Sequence, residues 1–137
     1  MAEYPQMLDT VLDATDVRSL AEFYRDLLGL RYRPGDEAPV GGEPDTADWL
    51  VLTDDAGNRK LAFQRTDQLP RSTWPAPDVP QQMHIDYTVP DVAALERQKE
   101  RALALGATLR YDRSDDEKEP LYVFADPAGH PFCILVG

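Results

Sequence analysis

Two histidines and a single cysteine carry most of the chemistry that this 137-residue chain offers. His84 stands in the run "MHIDYTVPD", residues 83–91, with Asp86 two positions further on. In a strand, residues i and i+2 share a face, so this imidazole and this carboxylate can act together. A neutral imidazole near pH 7 donates and accepts at once, and a neighbouring carboxylate fixes its tautomer, which suits proton transfer. Joined by a second histidine, His-x-Asp…His is a facial-triad pattern for a metal. His130 is the only other histidine, and strand parity argues against it. If Cys133 faces the same wall as His84, so do Pro131 and Leu135. His130 then lies on the opposite face at the tip of a hairpin, where it stabilises the turn "DPAGH". Cys133 as a nucleophile would need a thiolate-stabilising neighbour, for which His84 is the candidate. The plain structural role for His84 and Asp86 is a hydrogen bond that orders "PQQM", residues 80–83.

The elements that must position these residues occur twice. Residues 8–16, "LDTVLDATD", and 83–91, "MHIDYTVPD", are short alternating runs, each ending in an aspartate. Asp16 and Asp91 are suited to cap a helix, because a short carboxylate accepts from the free N–H groups of a first helical turn. Helical spacing follows in Val17, Leu20, Tyr24, Leu27 and Leu28, with Gly29 as the stop, and again in Val92, Leu95, Ala102, Leu103 and Leu105, with Gly106. Each helix leads into a strand, 30–34 and 107–113. A strand–turn–strand pattern then closes each half, at 49–64 and 121–136, around the turns "DDAGN" and "DPAGH". Each half therefore reads β-α-β-β-β. The segment "DQLPRSTWPAPDVPQ" holds four prolines and can be neither a helix nor a central strand. The expected organisation is a single domain, residues 1–137, with module one over 8–65, a linker over 66–81 and module two over 82–137. Trp74 is expected to pin the linker.

Bulk properties narrow the function classes. The chain carries 14 Lys and Arg against 25 Asp and Glu, a net charge of −11, which argues against nucleic acid or an anionic membrane surface as partner. A lone cysteine permits no internal disulfide and fits a reducing compartment. The segment "MAEYPQMLDT" has neither the basic nor the apolar region of an export signal, and no apolar stretch approaches the ~20 residues of a membrane span. A cytoplasmic protein is expected. No Gly-rich phosphate loop, nucleophile elbow or basic-aromatic patch is present.

The strings "LAEFYRDLLG" (20–29), "TWPAPDVPQQMHID" (73–86) and "DPAGHPFC" (126–133) give the chain a resemblance to the vicinal oxygen chelate superfamily, which includes glyoxalase I, bleomycin-resistance proteins and extradiol dioxygenases. The likeness runs from about Leu8 to Val136 and is closest to a glyoxalase-like, bleomycin-resistance-protein-like branch. It implies an α+β fold of two tandem β-α-β-β-β modules, a cup-shaped mixed sheet with helices outside and a ligand within. It also implies dimers. Metal-dependent members place ligands near the start of the first strand and in the last strand of each module. Carried over by position, these are Asp9, a position at or near Ala62, His84 and Cys133. Alanine cannot ligate, so no metal and no cofactor are expected, although a Cys-His-Asp set can hold zinc in principle. Parity places Asp9, Val11, Asp13, Gln64, His84, Asp86 and Cys133 on the inner wall, with Trp49, Val51, Leu121 and Val123 beside them. Asp9, Trp49, Gln64, His84, Asp86 and Cys133 are thus the candidate ligand-binding residues, and no catalytic residue is assigned. The expected function is binding of a small organic molecule, with sequestration of a drug or metabolite as the functional type, and the carboxylates of the wall suit a cationic one. The alternative is a lyase or isomerase in which His84 and Asp86 transfer a proton, or a degenerate metal-dependent member.

Overall fold

Residues 3–137 are described by the computed structural model, and the chain divides into two compact units, 1–67 and 68–137. The first contains β1 (Thr10–Ala14), α1 (Val17–Leu28), β2 (Arg31–Tyr32), β3 (Trp49–Thr53) and β4 (Arg59–Arg65). The second contains β5 (Ile85–Val89), α2 (Val92–Leu105), β6 (Thr108–Arg113), β7 (Leu121–Ala125) and β8 (Pro131–Val136). Each unit forms a four-stranded mixed sheet with the same topology, β1-β4-β3-β2 and β5-β8-β7-β6. The two tandem β-α-β-β-β modules read from the sequence are present. The proline-rich segment from Gln68 onward belongs to the second unit.

Local chemistry sets the boundaries twice over. Asp16 accepts from the Ser19 amide and Asp91 from the Ala94 amide, so each helix starts on a capped turn. At the other end Gly29 takes φ 67° and returns its N–H to the Arg25 carbonyl, a left-handed termination that favours glycine. The two hairpins repeat one turn in detail. Asp54 Oδ1 accepts from the amides of Ala56 and Asn58 at 3.0 and 2.9 Å, and Asp126 Oδ1 accepts from those of Ala128 and His130 at 2.9 and 3.0 Å. His130 thus serves the turn through its backbone. β2 covers only Arg31 and Tyr32 of the expected 30–34, and Arg33, whose amide still donates to the Val51 carbonyl at 2.9 Å, leads into the turn at Pro34 and Gly35. The long loop after it is held by Arg18, which donates to Asp45 and to the Asp36 carbonyl, both at 2.7 Å.

Each core lies between a sheet and its helix. In the first unit Leu20, Tyr24, Leu50, Leu52 and Phe63 are fully buried, and Tyr24 stacks on Phe63. In the second, Leu95, Phe124 and Phe132 are fully buried, with Phe124 stacked on Phe132 at 5.1 Å and Tyr87 edge-on to Phe132. As parity requires, Leu61, Phe63, Phe132 and Ile134 are all buried. Val92, although it fits the helical spacing, lies in the first turn of α2 and is 52% exposed.

The two kinds of contribution differ in size and can be separated by denaturant unfolding. Phe132→Ala removes a fully buried ring and is expected to cost ~3–5 kcal/mol, whereas Asp91→Ala, which removes only a cap, should cost ~0.5–2 kcal/mol. Equal losses would show that the Phe124–Phe132 stack is not the centre of the second core.

Candidate functional site

The site residues of module two come together because of strand register. β5 pairs in parallel with β8, placing Asp86 opposite Cys133, and β7 pairs antiparallel with β8, placing Val123 opposite Cys133 and Leu121 opposite Leu135. Leu121, Val123 and Cys133 form a buried cluster against which Trp74 and Leu135 pack. This cluster is the floor of an open pocket of about 480 Å³. Above it stand Trp74 and Tyr111, ring centroids 5.9 Å apart and planes tilted by 58°. His84, Asp86, Gln81, Arg113 and Glu119 supply the polar lining. The size and the mixture of an apolar floor with a few convergent polar groups are those of a small-molecule site.

Trp74 does two things. Arg110 donates to the backbone carbonyls of Trp74 and Thr73 at 3.2 and 3.3 Å, fixing this stretch to β6. The indole meanwhile lies on the floor and lines the pocket, so the pinning residue expected from the sequence is also part of the wall. Gln81, Tyr111, Arg113 and Glu119 were not singled out by sequence pattern. Tyr111 and Arg113 share strand parity in β6, which was an available signal. Glu119 lies in the acidic stretch 113–120, which otherwise reads as a solvated loop.

His84 Nε2 lies 3.3 Å from Asp86 Oδ1, and both side chains are about half exposed. Cys133 is buried, and its thiol is pushed up to about 12, first by burial and then by its hydrogen bond with the Asp86 carboxylate. A thiol so shifted is a poor nucleophile. Gln81 Oε1 is buried with no hydrogen-bond partner, an arrangement that typically costs about 1–3 kcal/mol.

The other candidates, Asp9, Trp49 and Gln64, belong to the first unit. Asp9 is engaged by a guanidinium: Arg59 Nε and Nη2 donate to its Oδ2 at 2.9 and 2.6 Å. Trp49 and Gln64 are register partners across β3 and β4, and both are exposed. The pocket lining comes entirely from residues 74–135.

A family model described as a glyoxalase-like domain matches residues 9–135. The chain belongs to that family. Solved structures of similar fold include the fosfomycin resistance protein FosX of Listeria monocytogenes, at 16% identity and TM-score 0.70, covering 98% of this chain and 92% of that one. A glyoxalase/bleomycin resistance protein/dioxygenase family enzyme of Burkholderia phytofirmans PsJN has 15% identity and TM-score 0.66, with 94% and 96% covered. The lactoylglutathione lyase of Agrobacterium tumefaciens has 18% identity and TM-score 0.62, with 99% and 96% covered. At such identities the likeness is one of fold. Compared with curated proteins, the chain has no significant match. Among the described residues, no helix is long and apolar enough to cross a membrane.

The four metal-ligand positions that the glyoxalase-like resemblance marks do not form a complete donor set here. Val11 pairs with Ala62 as Asp86 pairs with Cys133, so the register equates Ala62 with Cys133 and leaves a methyl group at the second of the four positions. Asp9 at the first is committed to Arg59. What remains is His84, Asp86 and Cys133, whose donor atoms lie within 4.8 Å of one another. Zinc bonds of ~2.0–2.3 Å place tetrahedral donors roughly 3.5 Å apart, so this trio would need to contract, and its thiol would need to lose a proton that its surroundings hold tightly.

The thiol gives a direct check. Its folded value lies above the unfolded one of 9.0, so its contribution to stability is full below that pH and is lost as pH rises toward 12. At pH 8 alkylation of Cys133 by iodoacetamide should run on the order of 10²–10³ times more slowly in the native protein than in the unfolded chain. Comparable rates would mean a stabilised thiolate.

Proposed function

We propose that this glyoxalase-like protein binds a small organic molecule in the pocket of its second module, without a metal or other cofactor, and serves to sequester a drug or metabolite. The observation that carries this reading is the pocket itself: an apolar floor of Leu121, Val123, Cys133 and Leu135 beneath an aromatic pair, with polar groups grouped around Asp86. Of the residues expected from the sequence, His84, Asp86 and Cys133 belong to this lining, and Asp9, Trp49 and Gln64 do not. The family resemblance supports binding as a function type, and fold alone does not choose the reaction.

A second reading is favoured by one contact. The His84–Asp86 pair at 3.3 Å borders the pocket, and a carboxylate-oriented imidazole is the arrangement of a general base. In that reading the protein is a lyase or isomerase, and a bound compound is converted rather than held.

A thermal-shift screen of metabolites, thiols, aldehydes and antibiotics tests both. Binding to the native state adds RT ln(1 + [L]/Kd), about 2.7 kcal/mol at a hundredfold excess over Kd. Trp74→Ala and Asp86→Ala are expected to abolish the shift of a true pocket ligand while the melting of the free protein stays cooperative. A shift that survives both substitutions would place the ligand elsewhere. NMR of the bound compound then separates the readings: accumulation of product that stops in His84→Gln selects the enzyme. Elemental analysis after exposure to Ni, Zn, Mn and Fe should show sub-stoichiometric metal, and retention near one per chain that is lost in His84→Ala would overturn the metal-free reading.

The same proposal includes a homodimer. β1 and β2 are the edge strands of one sheet and β5 and β6 those of the other, and a second copy covering such an edge removes unpaired backbone groups from water. Light scattering at micromolar concentration should report two chains per particle, and a monomer would count against it.

A further inference from the structure

The pocket already described has a charge imbalance that its apolar floor conceals. Its charged lining groups are Asp86, Glu119 and Arg113. Arg113 is paired, its Nη2 donating to Asp116 Oδ2 at 2.9 Å, so the two carboxylates of the lining outweigh it. Asp86 has as its neighbour the imidazole of His84, and no ion pair of Glu119 occurs among the described residues. Both carboxylates act on the floor: each opposes ionisation of the Cys133 thiol, and Arg113 acts in the opposite sense. Two further features need a partner of definite chemistry. Gln81 Oε1 is a buried acceptor without a donor. The Trp74 and Tyr111 rings, 5.9 Å apart, present π faces, which attract cations and flat apolar groups alike. The chain as a whole carries a net charge of −11, so its long-range field also favours cations.

We propose that the ligand of this pocket is an organic cation, a protonated amine or amidine on a flat apolar frame, with its N–H groups toward Asp86, Glu119 and Gln81 and its frame between the Trp74–Tyr111 wall and the Leu121–Val123–Leu135 floor. The inference rests on the pocket being the ligand site and adds the class of ligand. A carboxylate or phosphonate on the same frame would bring its charge against two carboxylates balanced by one guanidinium, which is itself paired with Asp116.

The test uses three probes that share one frame: 2-naphthylmethylamine, 2-naphthylmethanol and 2-naphthylmethylphosphonate. Their affinities for the native chain are measured by titration calorimetry at pH 7 in low and high salt. The amine is expected to bind about tenfold or more tightly than the alcohol, and the phosphonate about tenfold or more weakly, with the spread narrowing in high salt. The double variant Asp86→Asn, Glu119→Gln should bring amine and alcohol to within about threefold of each other while leaving the alcohol's affinity nearly unchanged. Trp74→Ala should weaken all three. If the alcohol or the phosphonate binds as well as the amine or better, and Trp74→Ala weakens it, the pocket stands as the ligand site and the cation is overturned. If none of the three binds, or if Trp74→Ala leaves binding intact, the pocket itself is not the site and both readings fall. Because the ranking is made on the native chain, it does not depend on any variant folding.

Discussion

The parallel pairing of β5 with β8 is the constraint on which the second module depends. Parallel neighbours cannot be joined by a tight turn and need a crossover connection, here α2, β6 and β7 between the two strands. That crossover carries the helix that covers Phe124 and Phe132 and the two strands that complete the sheet. Register then does the rest. With Asp86 opposite Cys133 and Cys133 opposite Val123, one face of the sheet must carry a carboxylate at its edge strand and aliphatic groups beside it. A slip of one residue would turn Phe132 and Ile134 to that face and send Cys133 into the core under α2. The site is thus a by-product of the register that buries the aromatic core.

Such a pocket is mixed in character for a physical reason. β8 and β7 are central strands, and Leu121, Val123 and Cys133 are almost fully buried. β5 and β6 are edge strands, where Asp86, Arg113 and Tyr111 keep contact with water. Polar groups stand at the margins because they remain solvated there, and aliphatic groups stand at the centre because nothing could satisfy polar ones. Trp74 is held over this floor by the Arg110 guanidinium, which donates to its backbone carbonyl, rather than by its own ring nitrogen. Its indole is therefore available to the cavity.

Much of this was legible in the sequence, and what was missed has a common cause. The aspartate caps, the left-handed glycines and the doubled turns "DDAGN" and "DPAGH" are short-range devices, and each one fixed its element where the pattern placed it. Parity separated Phe132 and Ile134 from Cys133 and Leu135 without any knowledge of the tertiary fold. Gln81, Tyr111, Arg113 and Glu119 escaped notice because their role depends on where a proline-rich segment and an acidic loop come to rest against a sheet. No local periodicity encodes that. Asp9 was read as a wall residue by correspondence with His84, and its ion pair with Arg59 follows from a side-chain contact that strand spacing does not specify. The position at or near Ala62, uncertain by one residue from hairpin length, was settled only by the pairing of β1 with β4.

The two modules differ at corresponding positions of their sheets. They share topology, caps and turns, yet the register-equivalent pairs are Val11 with Ala62 in one and Asp86 with Cys133 in the other. The first pair is apolar and offers no donor. The second offers a carboxylate and a thiol, with His84 beside them. Where the first module does carry a charge at the corresponding position, Asp9, it neutralises it with Arg59 at 2.6 Å, while Asp86 in the second has the His84 imidazole and the Cys133 thiol as neighbours and no guanidinium. A side chain that ends in a matched ion pair has little left to offer a ligand, whereas a half-exposed carboxylate without a guanidinium partner keeps open acceptor sites. The frame occurs twice, but the cluster of His84, Asp86 and Cys133 has no counterpart at the corresponding positions of the first module. That asymmetry, more than the family likeness, is what supports proposing the site in module two.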